Sequence, residues 1–218
     1  MSATQEQLEK WFSKQRFRKF LQYTSNDVVQ AEQLYIDNIM LSEALYPVLS
    51  VFEVSFRNSV HQQLSYFYDR DDWYEAWRNS YDDLSKLVKR IDEAIAEIKK
   101  RDEEVNTGKV IAEMSLGFWV SMFNVSYERI LWKPLRLCFK NLSKSRRKRH
   151  PVSANLNKIR KLRNRVYHYE PICWNQDTLK QGYDIIITTL GWLDTDLPKW
   201  VDEIDEFETV LNKVQNNT

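Results

Sequence analysis

The sequence contains few of the residues that build disulfide scaffolds, metal sites or β-sheets. Of its 218 residues, only 2 are cysteine, 4 are glycine and 5 are proline. Cys138 and Cys173 stand in apolar stretches without a CxxC or CxxH partner, which argues against a structural zinc site and a disulfide framework. Sheet proteins generally use more turn residues than this. We therefore expect a helical protein with no metal site and no cofactor.

Long apolar runs are missing as well. No segment approaches 18 uninterrupted apolar residues, and residues 1–11 have no apolar run of the kind found in secretory signals. We therefore expect a protein of the reducing cytoplasm that has no membrane span.

Charge is nearly balanced overall but unevenly distributed along the chain. The formal net charge is +1. Residues 140–169 contain eleven lysines and arginines and no acid, whereas residues 194–208 contain seven acids and one base. Such a split creates local fields, and the basic segment is suited to a polyanionic partner.

Hydrophobic residues recur at helical spacing along nearly the whole chain, which predicts a single all-α domain over 1–218. Asn26 is a candidate cap for a helix that runs to about Leu45, before Pro47 breaks or kinks it, and a central core helix follows to about residue 67. Residues 69–79 are interpreted as a connector or short helix with exposed aromatics, and 142–151 as a solvated loop. Further helices are predicted in segments 5–22, 81–105, 109–123, 126–140, 153–170, 175–193 and 197–214.

The segment 155–172, NLNKIRKLRNRVYHYEPI, carries the most distinctive pattern. On a regular helix one arc should face the core, and a second arc should be polar. The predicted core arc consists of Leu156, Ile159, Leu162, Val166 and Tyr169. The polar arc consists of Arg160, Arg163, Asn164, Tyr167 and His168.

Arg163, Asn164 and His168 are the candidate catalytic residues. Asn164 and His168 are four residues apart, so that their side chains can hydrogen-bond along the helix. A histidine titrates near neutral pH and can exchange a proton with a ribose 2′-hydroxyl or a leaving 5′-oxygen. An arginine can hold the scissile phosphate and stabilise its charge. Because acid and base duty usually needs two groups, we expect two copies of this helix to share a cleft in a homodimer.

Four segments of the sequence together resemble one known family. Arg163-Asn164-x-x-x-His168 fits the R-x(4–6)-H motif of HEPN ribonucleases, and the surrounding residues look like the Abi-like, or abortive-infection, branch. The matching segments, spread over about 45–172 in the family's order, are FEVSFRN at 52–58, GKVIAEMSLGFWVSMF at 108–123, YERILWKPL at 127–135 and IRKLRNRVYHYEPI at 159–172.

The resemblance implies a HEPN-like helical bundle with additional N- and C-terminal helices. It also implies a homodimeric site that cleaves RNA without metal, leaving 2′,3′-cyclic phosphate ends, in a toxin or phage-defence protein. Some members are paired with a small non-coding RNA antitoxin. Glu170 matches a glutamate that often follows the histidine in this branch.

A second polar set lies on the predicted core helix. Glu53, Arg57 and His61 are spaced by four and therefore share one narrow face. Either this set orients the catalytic residues, or it is a satisfied buried network that fixes helix register. Likewise, His168 can be a plain helix-terminal histidine, and Arg163 a surface partner of Glu170.

Basic residues before and within the motif helix are candidate RNA-binding residues, because phosphate contacts supply most non-specific affinity. Tyr167 is a candidate for stacking on a base. The alternative for the loop is a solvated connection. The basic candidates are Lys144, Arg146, Arg147, Lys148, Arg149, Arg160, Lys161 and Arg165.

The sequence is also compatible with two other functions. The same polar face can hold a structured RNA without cutting it. The acidic C-terminal segment can instead make the chain a scaffold that binds a basic surface, including the basic segment of a second copy.

Overall fold

Every regular element is helical in the computed structural model, which describes residues 3–78 and 82–216. The all-α class predicted from the sequence is therefore confirmed for those residues. Residue 79, the last of segment 69–79, and residue 81, the first of segment 81–105, lie outside the described ranges. The helices are α1 (Gln5–Phe12), α2 (Lys14–Tyr23), α3 (Val28–Tyr68), α4 (Tyr74–Arg78), α5 (Ser85–Lys100), α6 (Thr107–Glu113), α7 (Leu116–Ser121), α8 (Glu128–Leu135), α9 (Arg149–Tyr167), α10 (Gln176–Leu193), α11 (Leu197–Asp202) and α12 (Phe207–Asn216). Short 3₁₀ turns cover Asp82–Leu84, Val125–Tyr127 and Arg136–Cys138.

Helix α3 runs without interruption for 41 residues. Its N-cap is Asp27, whose carboxylate accepts hydrogen bonds from two backbone N–H groups, and not Asn26 as predicted. The prediction that the helix ends before Pro47 is also wrong. Proline removes one backbone hydrogen bond, but Leu45 and Val48 on either side of it are fully buried. The continuous apolar face therefore outweighs the lost bond.

The buried face of α3 forms the centre of the bundle. Helices α2, α7, α8, α10 and α12 pack against it. The predicted core positions at Leu45, Leu49, Phe52, Phe56, Val60 and Leu64 are all buried, whereas Phe67 is exposed. By length and composition alone α3 is also apolar enough to cross a membrane, a criterion that the core helix of a soluble protein meets equally well.

The aromatic residues after α3 form a buried corner, contrary to the prediction that they are exposed. Trp73 and Trp77 are essentially inaccessible, and their ring centroids are 4.6 Å apart. Trp73 Nε1 donates a hydrogen bond of 3.0 Å to His61 Nδ1. Trp119 approaches Trp73 edge-on at 6.3 Å. Because each indole finds apolar contacts here, this connector belongs to the core.

Three predicted helices are each divided in two. Segment 5–22 breaks at Ser13, which has φ 67° and whose hydroxyl accepts from the Arg16 N–H at the start of α2. Segment 109–123 breaks at Met114, which is extended, and segment 197–214 breaks after α11. Periodicity alone does not reveal such breaks, because the apolar spacing continues across a tight turn.

Helix α9, which carries the motif, begins four residues earlier than predicted and ends three residues earlier. Its end is a Schellman motif, in which the Glu170 N–H bonds the Arg165 carbonyl and the Tyr169 N–H bonds the Val166 carbonyl. Tyr169 adopts φ 56° and is 73% exposed, so its predicted place in the core is wrong. Helices α7 and α10 flank α9, and α3 contacts it.

Candidate functional site

Arg163 is held in place by two side chains. Its Nε donates to Glu53 Oε2 at 3.0 Å, and Nη2 donates to Oε1 at 3.4 Å. The guanidinium carbon lies 4.0 Å from the centroid of the Tyr167 ring, a cation–π contact one turn along α9. The side chains of Arg163 and Glu53 are 24% and 23% exposed. The guanidinium is thus oriented and partly accessible, and within the described chain Nη1 has no hydrogen-bond partner.

Glu53 therefore fixes Arg163 across α3 and α9, a contact that fits both interpretations of the polar set on α3. A carboxylate that bonds one edge of a guanidinium fixes its plane and leaves the other edge available. The predicted alternative partner of Arg163 is wrong, because Glu170 lies 3.8 Å from Arg165 instead.

Asn164 and His168 lie at the exposed side of α9. His168 is the C-cap residue, and its backbone N–H bonds the Asn164 carbonyl at 2.9 Å. Neither side chain makes a hydrogen bond to another residue of the described ranges, so the predicted Asn164–His168 side-chain bond is not formed. The His168 imidazole is therefore exposed at the end of α9.

His61 is bonded to a residue outside this site, Trp73. It accepts the hydrogen bond from Trp73, and burial lowers the pKa of its imidazole despite the nearby charge of Asp71. Its side chain therefore belongs to the aromatic corner, and its supporting role at the candidate catalytic residues stays a prediction. The Arg57 Nε is buried and has no partner within the described residues.

Some of the predicted RNA-binding residues bond other parts of the chain, and others have exposed side chains. Arg147 donates to the carbonyls of Lys140 and Leu142 and thereby closes the basic loop. Arg149 is 15% exposed in its side chain and pairs with Glu128 at 2.9 Å. These two contacts favour structural roles. The residues of the set that remain exposed are Lys144, Arg146, Lys148 and Lys161.

A groove of about 490 Å³ lies between α9 and α10. Lys158, Lys161 and Arg165 line its α9 side, and Trp174 and Ile185 contribute apolar surface. Arg165 also donates to the Pro171 carbonyl, which ties it to the chain after α9. The groove adjoins the exposed face of α9 on the side away from Glu53.

Sequence reasoning missed two residues near the motif. Tyr46 is 58% exposed and its ring lies 6.2 Å from that of Tyr167, nearly parallel to it. Arg90, on α5, lies beside Arg160 of α9. Nothing in the local pattern marks either residue, because both approach α9 only through the packing of distant helices.

Within the described ranges, no three side chains of histidine, cysteine, aspartate or glutamate are grouped so that they could hold a metal ion. Comparison of the chain with protein-family models, curated proteins and solved structures found no match.

Proposed function

We propose that this chain is a metal-independent endoribonuclease of the HEPN type, with an HEPN-like helical arrangement and Arg163, Asn164 and His168 at its catalytic site. We propose further that it acts in the cytoplasm as a toxin of a toxin–antitoxin or abortive-infection system. The observation that carries the proposal is the fixed Arg163 guanidinium, five residues before an exposed histidine at the end of the same helix.

The reaction that suits these groups is transesterification within RNA. A base takes the proton of a ribose 2′-hydroxyl, and the 2′-oxygen attacks the adjacent phosphorus. The bond from phosphorus to the 5′-oxygen breaks, and an acid gives that oxygen a proton. The products are a 2′,3′-cyclic phosphate and a 5′-hydroxyl. His168 serves as one proton-transfer group, and Arg163 stabilises the charge on the phosphate.

The second proton-transfer group is proposed to be His168 of a second copy. The sequence has 3 histidines. His61 is bonded to Trp73, and His150 is 18 residues before His168 on the same helix, about 27 Å along its axis. Neither can reach the same phosphate, so a homodimer with a shared cleft fits the chemistry best.

Cleavage of total RNA in the presence of EDTA tests the proposal. His168→Ala should lower the rate by at least about a hundredfold while leaving the folded state intact. Arg163→Lys, which keeps the charge but loses the planar pair of donors, should also be strongly impaired. His150→Ala is the matched control, because it removes another exposed histidine of α9, and it should cut at the original rate. A His168→Ala protein that cuts equally fast would refute the assignment.

Mixing wild-type and His168→Ala chains tests whether two copies share the cleft. If both copies contribute His168, random exchange with an equal amount of His168→Ala chains should roughly halve the activity per wild-type chain. A ninefold excess should reduce it to about a tenth. Activity that stays constant per wild-type chain would show that one copy suffices.

A non-catalytic RNA-binding function is the second candidate. It is favoured by the pairing of Arg163 with Glu53, which neutralises the charge that a transition state would use. It predicts salt-dependent RNA binding that survives His168→Ala and yields no cleaved product. For the nuclease toxin, a small non-coding RNA is the expected antitoxin partner, and for the RNA-binding function a structured small RNA is the expected ligand.

A further inference from the structure

Two arginines from different helices meet beside Gly117 at the start of α7. Arg90 lies on α5 and Arg160 on α9. A methyl group built at Gly117 would lie 4.0 Å from Arg90 Nη2, 4.0 Å from Arg160 Cδ and 3.7 Å from the Ser115 hydroxyl. These four residues form what we call the Arg90–Arg160 cradle.

The positive charge of the cradle is not balanced by a nearby carboxylate. Among the described residues, none places a carboxylate oxygen within 4.0 Å of Arg90 or Arg160, although other arginines of the chain form such pairs. Glu93, which interacts with Arg90 at longer range, is exposed and pairs weakly with Lys89. Burial lowers the pKa of Arg90, the charges of Glu93 and Tyr127 raise it, and the charge of Arg160 lowers it. Two close guanidiniums therefore repel each other unless an anion joins them.

Part of the hydrogen-bonding capacity of the cradle is unused. Arg160 donates from Nη2 to Asn157 at 3.1 Å, but its Nε is buried and has no partner in the described chain. The Ser115 hydroxyl accepts from Arg90 at 3.3 Å and does not cap α7, so its own proton is available. Because Arg160 as a whole is only half-buried and Ser115 is exposed, a tetrahedral anion with several oxygens can accept from the outer edge of the Arg160 guanidinium and from the Ser115 hydroxyl.

Arg90 also has a structural role, which separates it from Arg160. It donates to the Gly117 carbonyl at 3.4 Å and to the Ser121 hydroxyl at 3.2 Å, and its guanidinium lies 5.2 Å from the Phe118 ring. It thus ties α5 to α7. Arg160 makes no comparable tie between helices, so that the sharper test falls on Arg160.

We propose that the Arg90–Arg160 cradle binds a phosphate of the RNA strand other than the one that is cleaved. This inference rests on the proposed function, because it takes RNA as the ligand. Arg160 and Arg163 are three residues apart on α9 and therefore neighbours on its surface, with Cβ atoms about 5–6 Å apart. The cradle extends the phosphate path from Arg163 toward α5 and α7 and so sets the register of the strand.

The test is a binding titration on the His168→Ala background, where cleavage cannot interfere. The probe is a fluorescein-labelled, single-stranded RNA of about ten nucleotides, which is long enough to cover one binding site. Its binding is followed by fluorescence anisotropy at several salt concentrations. Arg160→Gln should weaken binding about tenfold and reduce the slope of log K against log salt by about 0.7. Lys99→Gln, which removes one exposed charge from the far end of α5, is the matched control and should leave the slope unchanged.

Gly117→Glu provides a second variant that should remain folded. Its carboxylate would lie between the two guanidiniums and imitate the phosphate, so that RNA binding should fall as it does in Arg160→Gln while the melting temperature stays equal or rises.

Unchanged affinity and slope in both Arg160→Gln and Gly117→Glu would overturn the cradle while leaving the nuclease proposal standing. RNA that does not bind to the parent at all would overturn both. Cleavage by the wild-type chain, measured separately, tests the nuclease proposal alone.

Discussion

Replacing Glu53 by glutamine keeps the shape of the side chain and removes the charge that orients Arg163. At an effective dielectric constant near 20, the attraction between charges about 4 Å apart is roughly 4 kcal/mol before desolvation is subtracted. Both side chains are about three-quarters buried, so desolvation offsets much of this. We expect a net loss of about 1 kcal/mol, because glutamine still accepts one hydrogen bond. For a chain of this size that corresponds to a melting temperature lower by about 2–4 °C.

A double-mutant cycle with Arg163→Gln measures the interaction directly. The coupling free energy of unfolding should be about 1 kcal/mol, since the two side chains contact each other. Cleavage should fall about tenfold in Glu53→Gln, equivalent to about 1.4 kcal/mol of lost transition-state stabilisation, because Arg163 keeps only the Tyr167 ring to orient it. A coupling energy of zero would show that the pair does not exist in solution. A normal coupling with unchanged cleavage would show that Glu53 matters for stability alone.

Three further predictions concern groups outside the motif. Burial lowers the pKa of His61 below its ordinary value of 6.5, so the unfolded chain binds a proton more readily than the folded chain. The contribution of His61 to the free energy of unfolding should therefore be complete above about pH 6.5 and fall below it. His61→Gln should flatten this pH dependence of stability in urea titrations from about pH 7.5 to 5.5. Burial raises the pKa of Cys138 and Cys173 to about 12, so neither thiol should react with Ellman's reagent until the chain unfolds; rapid labelling of the native protein would contradict this. Tyr183→Phe removes a 2.7 Å hydrogen bond to Asp205 and should cost about 1–2 kcal/mol in thermal unfolding, whereas an unchanged transition would place that bond outside the folded state in solution.

The helical class and the central core could be predicted because both depend on local periodicity. The predicted core positions from Leu45 to Phe67 repeat every three or four residues, and the structure buries all of them except Phe67. The end of that helix could not be predicted in this way. Pro47 is a strong local signal for a break, and only the packing of the other helices against α3 shows that the helix continues.

The candidate site was predictable residue by residue but not pair by pair. The spacing on α9 identified Arg163 and His168, and the spacing on α3 identified Glu53 as a polar residue on an apolar helix. Their contact joins positions 110 apart in sequence, and Glu170, much nearer in sequence, was an equally plausible partner. Arg90 had no local signal at all, because its importance comes from its position beside Arg160.

In the proposed function, the charge balance around Arg163 separates two tasks of the basic segment, which are to direct donors at the phosphate and to attract RNA. Arg163 and Glu53 together carry no net charge, so Arg163 contributes directed donors rather than long-range attraction. The long-range attraction of RNA must come from cations that have no carboxylate partner among the described residues, such as the exposed Lys161. The double variant Glu53→Gln/Arg163→Gln, which removes both charges of the pair, should therefore lower kcat with little change in the salt dependence of KM, whereas Lys161→Gln should raise KM and reduce that salt dependence while kcat stays the same. If the double variant and Lys161→Gln change the salt dependence equally, Arg163 is not neutralised when RNA binds, and Glu53 must move away from it.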